Sequence, residues 1–342
     1  MLGRRAPSEA AKLGDVYAWI LDNAPGSYRM GEIAPPTLGR DDVRVRVVAS
    51  ALNHMDLWVT RGLPKPPLPH IPGCDAAGIV DAVGPEVVSV SPGEEVVVNP
   101  AVSCRRCAFC LAGNGPYCRS FQIVGEQRWG SHAESVTVPE ANVGPRPPGR
   151  SWEEAAAFGL CTLTAWRMLS RARLRAGETV LVVGIGGGVS SAALALARVM
   201  GARVFATSRE QAKRDRAVAL GAEGAFDSGD DFPVKADVVV ENVGAATWDR
   251  SLRALVPGGR LVTCGGTAGS IVELNLPRLF FKQYEIIGST MGSYDEWDQV
   301  GGFMSAGLPV EVDHVFEGLE SYPEALNRLE AGTQLGKIVI RH

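Results

Sequence analysis

The chain has 342 residues, 46% apolar and 21% charged, with a net charge of −4 at pH 7. That is enough for two domains with separate cores and excludes a single small domain. Lys and Arg are scattered through a net-acidic chain, which argues against a nucleic-acid or anionic-membrane surface, and no apolar run reaches the roughly 18 residues of a membrane span.

Residues 1–14 include Arg4 and Arg5 but no apolar signal core, so they predict a short flexible tail on a cytoplasmic protein. From residue 16 to about 150, short strands alternate with Gly, Pro, Asn and Asp. Residues 43–48 alternate apolar and polar, 77–83 are apolar but for Asp81, and 95–98 follow a Pro92-Gly93 turn, the pattern of a small β-barrel-like domain. The run from Gly144 to Gly149 with Pro145, Pro147 and Pro148 marks a domain boundary at 150/151. Ser151 and Glu154 then form a capping-box pair that opens one helix carrying residues 155–169.

Residues 180–183 form an unbroken apolar run, which suits a strand covered on both faces. They lead into Gly184, Gly186, Gly187 and Gly188, and a helix rich in Ala and Leu starts at Val189. Glycines let the backbone turn sharply toward a ligand, and the uncapped amides of the helix start suit a diphosphate, so this reads as a dinucleotide-binding turn. Ser190 stands where that fingerprint has a third glycine. An ordinary strand-to-helix turn remains the alternative.

A second strand, 203–207, ends at Ser208, twenty residues after Gly188. A carboxylate there would suit the ribose hydroxyls of NAD. Ser208, Arg209 and Lys213 instead offer a hydroxyl and two cations to a 2′-phosphate, with no carboxylate to repel it, so NADPH is expected over NADH. A solvated helix start is the alternative for Arg209 and Lys213. Further strands at 237–241, 260–264 and 285–289 alternate with helices, the doubly wound α/β signature. Gly244 and the run Gly265-Gly266-Thr267 sit at carboxyl ends of such strands, where ligands bind in these sheets, with ordinary turns as the alternative. A helix at 294–305, strands at 310–315 and 337–341, and a helix near 322–330 close the chain. The segment 294–342 is expected to fold back onto the first domain.

Cys104, Cys107, Cys110 and Cys118 have C-x2-C-x2-C-x7-C spacing. Four thiolates so placed can close a tetrahedral shell around a structural Zn²⁺, leaving no open position for substrate. Two disulfides or an iron–sulfur cluster are the alternatives.

This loop, with Asn53-His54-Met55-Asp56 and Pro72-Gly73-Cys74-Asp75 before it and the glycine turn after it, resembles the medium-chain dehydrogenase/reductase superfamily of zinc alcohol dehydrogenases and quinone oxidoreductases. The resemblance covers the chain from about residue 16 and implies a GroES-like catalytic domain (1–150), a Rossmann cofactor domain (151–293) and a homodimer. It also implies that Gly244, Gly265, Gly266 and Thr267 line the nicotinamide and ribose. The alcohol dehydrogenases carry a catalytic zinc. Here Asn53 stands at its first Cys, Cys74-Asp75 at its His-Glu pair, and Leu160, with Cys161 one place off, at its last Cys.

The catalytic zinc is therefore expected to be lost and the structural one kept, as in the quinone and enone reductases, although His54 replaces their usual Tyr. Asn53 would donate to the substrate oxygen, and His54 or Asp56 would relay a proton, with cofactor-phosphate binding as the alternative for His54. Three functions stay open: an NADPH reductase of quinones, enones or activated carbonyls; an alcohol dehydrogenase with an atypical zinc shell; and a non-catalytic NADPH-binding protein.

Overall fold

The structure, a computed structural model, describes residues 15–342, so the expected tail at 1–14 lies outside the described residues. Six parallel strands lie in the spatial order Gly224–Phe226, Arg203–Thr207, Thr179–Val182, Ala236–Glu241, Leu255–Thr263, Glu285–Gly288. Numbered along the chain, this is the 3-2-1-4-5-6 order of a Rossmann sheet, whose ligand crevice opens at the carboxyl ends of the first and fourth strands. Val180, Leu181 and Val182 and, beside them, Val238, Val239 and Val240 are fully buried, which explains why both stretches lack polar alternation.

The second sheet runs Val312–Glu317, Lys337–Arg341, Asp42–Ala51, Asp75–Val83, Glu95–Val98, Val143–Pro145, with Ser135–Pro139 also paired to Asp42–Ala51. Its inward residues, among them Val43, Val45, Val80, Val96 and Val138, form a separate core. The chain thus ends as a central strand of the domain it began with. The return starts later than residue 294, however. Helix Tyr294–Ser305 packs on helix Gly159–Arg171, because Trp297, Val300 and Met304 make one apolar stripe, and Trp297 stacks on Phe158 at 5.2 Å.

The boundary also shifts at the other end. Helix Trp152–Ala157 packs on Asp42–Ala51, Asp75–Val83 and Lys337–Arg341 of the barrel sheet, so 150/151 falls one helix early. Its capping box forms as the spacing predicts: the Glu154 amide donates to Ser151 Oγ at 3.2 Å, and the Ser151 amide to Glu154 Oε2 at 3.1 Å. The single helix expected over 155–169 is instead broken, and Gly159–Arg171 starts anew. Asp75 accounts for the break. Its Oδ1 accepts from the Leu160 amide at 2.6 Å, and a Cβ on Gly159 would stand 2.5 Å from that oxygen.

Among the described residues no helix is long and apolar enough to cross a membrane. Beneath the barrel sheet, Ser50 Oγ bonds His132 Nδ1 at 3.1 Å and His342 Nε2 at 2.8 Å. Burial, with His132 nearby, drives His342 down to about 3. The unfolded chain therefore takes up a proton below about pH 6.5 that the folded chain refuses, and stability falls as the pH drops. Between pH 7.5 and 5.5 this one group should cost about 1.4 kcal/mol. Urea midpoints should show that loss, and His342→Gln should flatten it; parallel profiles for the two proteins would refute the assignment.

Candidate active site

The glycine turn expected to bind a dinucleotide joins strand Thr179–Val182 to helix Gly188–Val199. Gly184 has φ +75°, its amide donates to Thr207 Oγ1 at 3.1 Å, and a Cβ there would lie 2.8 Å from Val243 Cγ2, so only glycine fits. Helix Gly188–Val199 follows, with Gly187 as an N-cap that has no side chain to cover the amides of Gly188, Val189 and Ser190. Those uncapped donors at the positive end of a 12-residue helix fit a diphosphate. Ser190 is buried in the place of the third glycine, its Oγ 3.5 Å from the Val183 carbonyl. The Gly186 carbonyl accepts from the Gly336 amide at 3.1 Å, which ties the turn to the approach of the last barrel strand.

The residues after the second strand differ from expectation in one respect. Lys213 is buried, donating to the Gly332 carbonyl at 2.7 Å and pairing with Glu210 at 2.7 Å, so a carboxylate does stand here and Lys213 is engaged. Arg209 is exposed and has no ion pair among the described residues. Arg214, which the sequence reading passed over, donates to the Ser208 carbonyl at 2.7 Å and pairs with Asp227 at 2.8 Å. Among the described residues, one free cation beside Ser208 thus replaces the two expected. An i,i+3 Glu210–Lys213 pair was the available signal.

In the cleft, the expected trio divides. Asp56 is almost fully buried; its carboxylate accepts from the Asn53 amide at 2.8 Å and the Gly73 amide at 3.0 Å, which caps helix His54–Thr60 and fixes the next loop. It is thus committed to structure rather than placed for proton relay. Asn53 Nδ2 donates to Asp75 Oδ2 at 2.9 Å, so its carboxamide is turned away from the substrate-oxygen role expected of it. His54 is half-buried at the first turn of that helix, and among the described residues neither ring nitrogen has a hydrogen-bond partner. Burial, and then the charge of Lys337, lowers its pKa.

Lys337 is the residue that the sequence reading missed. Its Nζ donates to Asn53 Oδ1 at 2.6 Å, Asp75 Oδ2 at 2.8 Å and the Leu52 carbonyl at 2.8 Å, and lies 3.7 Å from Cys161 Sγ. Cys161 in turn meets Asn53 Oδ1 at 3.3 Å, which settles the register: Cys161, not Leu160, faces Asn53. Burial pushes the Cys74 and Cys161 thiols up, so they stay protonated near neutrality. An ammonium standing among neutral thiols, a carboxamide and one already paired carboxylate does not fit a catalytic zinc.

The glycines at the strand ends are tightly placed. Gly244, at φ +87°, would put a Cβ 2.2 Å from the Gly269 carbonyl oxygen, and its amide donates to buried Glu241 at 2.9 Å. Gly265 and Gly266 are half-buried, and Thr267 is exposed with Oγ1 on the Asn242 carbonyl at 3.3 Å.

The Sγ atoms of Cys104, Cys107, Cys110 and Cys118 all lie within 4.8 Å of one another, close to the roughly 3.8 Å edge of a tetrahedron with Zn–S bonds of about 2.3 Å. Amides of Arg106 and Cys107 lower the Cys104 thiol to about 6, while burial and the neighbouring cysteines push Cys107 up to about 11. The site fits a structural zinc. Among the described residues no other group of three or more His, Cys, Asp or Glu is placed to hold a metal.

Residues 39–148 match the alcohol dehydrogenase GroES-like domain and residues 188–306 the zinc-binding dehydrogenase family. The acryloyl-coenzyme A reductase of Metallosphaera sedula is 33% identical over 76% of this chain and 80% of that protein. A solved NAD-dependent alcohol dehydrogenase is 40% identical, covers 95% of this chain and 99% of its own, and superposes with a TM-score of 0.90. A 2-octenoyl-CoA carboxylase reductase solved with NADP and 2-octenoyl-CoA is 26% identical over 97% of this chain and 89% of its own, with a TM-score of 0.88. With a Rossmann sheet, a GroES-like domain and these relatives, the chain belongs to the medium-chain dehydrogenase/reductase superfamily and is an NAD(P)H-dependent oxidoreductase.

Proposed function

We propose that this protein is an NADPH-dependent reductase of polarised double bonds, in a quinone, an enone or another activated carbonyl compound, that works without a catalytic metal. The observation that carries the reading is the Lys337 ammonium set among Asn53, Asp75 and Cys161, where a metal-dependent relative needs its ion. Similarity to an enzyme named for acryloyl-coenzyme A, an α,β-unsaturated thioester, supports the substrate class.

The cofactor would lie against the amides of Gly188 and Val189, with Ser208 and Arg209 toward its 2′-phosphate; when bound it supplies hydride from the nicotinamide C4. The chain's part is to orient the acceptor and to provide a proton. His54 is the group in the cleft with both ring nitrogens uncommitted, and it would hand a proton to the carbanion or oxyanion left by hydride addition. The reading is tested by NADPH oxidation against enones, unsaturated coenzyme A thioesters and quinones, beside alcohol oxidation with NAD⁺, each with and without a zinc chelator. Chelator-sensitive alcohol oxidation alone would overturn it.

A second reading, a zinc alcohol dehydrogenase, is favoured by the 40% identity to an alcohol dehydrogenase. Metal content separates the two. The first expects one zinc per chain, held by Cys104, Cys107, Cys110 and Cys118; the second expects two, with activity following the more labile ion.

We also propose a homodimer joined at the edge strand Glu285–Gly288. Leu276, Phe280 and Phe281 of the preceding helix are exposed beside that unpaired edge, which invites pairing of two sheets about a two-fold axis. Light scattering at micromolar concentration should give twice the chain mass, and Phe281→Glu should reduce it. A wild-type monomer would contradict the proposal.

A further inference from the structure

Lys337 opens the last barrel strand, where the sequence shows only an apolar run, Ile338-Val339-Ile340, behind it. Its side chain is 4% exposed and pairs with an Asp75 carboxylate that is not exposed at all. Removing two charges from water is costly, and an apolar pair of similar volume is often as stable or more so, so burial alone gives such a pair no reason to exist. Its contacts offer one. Two of the three oxygens that Nζ holds, the Leu52 carbonyl and Asn53 Oδ1, belong to the two residues that immediately precede His54. The third, Asp75 Oδ2, also accepts from Asn53 Nδ2, so the carboxamide is clamped at both ends.

The clamp reaches the cofactor domain as well. A Cβ on Gly188, the first residue of the helix under the dinucleotide turn, would stand 2.7 Å from Lys337 Cδ and 2.7 Å from Cys161 Sγ. The ammonium therefore lies behind the turn, at the joint of the two domains. It stays protonated there: burial disfavours the charge, and the groups around it, the Asp75 carboxylate first, more than reverse that.

We infer that Lys337 is the resident cation of this cleft, a positioning residue whose ammonium does what a bound metal would otherwise do: it gathers Asn53, Asp75 and Cys161 around one positive charge and fixes the helix start that carries His54. The inference rests on the metal-free reading of the site. No bond is made or broken at Nζ; its three donors are taken by protein oxygens, and it acts through Asn53 and the backbone at Leu52. A covalently attached cation cannot be chelated or exchanged. It also repels any divalent ion from the donors it holds.

The test uses variants that change the charge without stranding its partner. Lys337→Met alone leaves Asp75 buried and uncompensated and can fail to fold, whereas Lys337→Met with Asp75→Asn removes both charges together and should fold. In the double variant kcat should fall about a hundredfold through misplacement of His54. The apparent pKa seen in its pH profile should move up, because the Lys337 charge lowers His54 whereas Asp75, the other charge removed, is not among the groups acting on it. Lys337→Arg, which keeps the charge, should leave that pKa in place while lowering kcat less. The metal content of wild type and double variant, counted alongside, should be one zinc per chain in the first. A double variant that folds, keeps its zinc, and retains the wild-type kcat and pH profile would overturn the inference while leaving the metal-free reading standing. Two metals per wild-type chain would instead overturn the reading on which the inference rests.

Discussion

Replacing Ser208 by aspartate should abolish or reverse a preference for NADPH. Ser208 directly follows the second strand of the Rossmann sheet, and its Oγ accepts from the Glu210 amide at 3.1 Å; on the proposed reading its side chain faces the ribose of the dinucleotide. A carboxylate there would repel a 2′-phosphate carrying close to two charges and would accept from ribose hydroxyls. With Lys213 held by Glu210 and Gly332, Arg209 is the cation left to meet the phosphate. A charge-assisted hydrogen bond from it gives about 1.5–3 kcal/mol before screening, or roughly 10- to 150-fold in affinity. Arg209→Ala should lose about that factor for NADPH and leave NADH unchanged. Fluorescence titration of both reduced cofactors decides it: equal wild-type affinities, or a Ser208→Asp variant with an unaltered ratio, would reduce Arg209 to a solvated helix start.

The parts of this molecule that were legible in the sequence are those encoded over short spans. The apolar run into Gly184, the cysteine spacing and the Ser151–Glu154 box each place their own residues within a few positions, and the structure sets each as the spacing implies. The broken helix at Phe158 was not legible, because its cause, Asp75, lies 85 residues from the Leu160 amide it holds. Lys337 was hidden for the same reason: it joins Asn53 across a separation of 284 residues, and a lysine at the start of a strand ordinarily signals solvent. The role of Asp56 could have been found. Asn53-x-x-Asp56 has the spacing of a helix cap, and a carboxylate three residues into a helix is more often an amide acceptor than a relay.

Loss of the His54 imidazole should be the most damaging single change in the cleft if it delivers the proton. General acid catalysis of this kind contributes about 10²–10⁴-fold, so His54→Ala should lower kcat within that range while the affinity for NADPH stays near wild type. The pH dependence carries a sign. Burial and the Lys337 charge hold His54 below its ordinary value of about 6.5, and the donor is the protonated form. The wild-type rate should therefore rise as pH falls, with a midpoint below 6.5, and the slope should vanish in His54→Ala. Pre-steady-state kinetics at several pH values, together with a separate cofactor titration, distinguish this from cofactor-phosphate binding, the other role open to His54. A variant that keeps kcat but binds NADPH more weakly would make His54 a phosphate ligand, and the proton would then have to come from solvent.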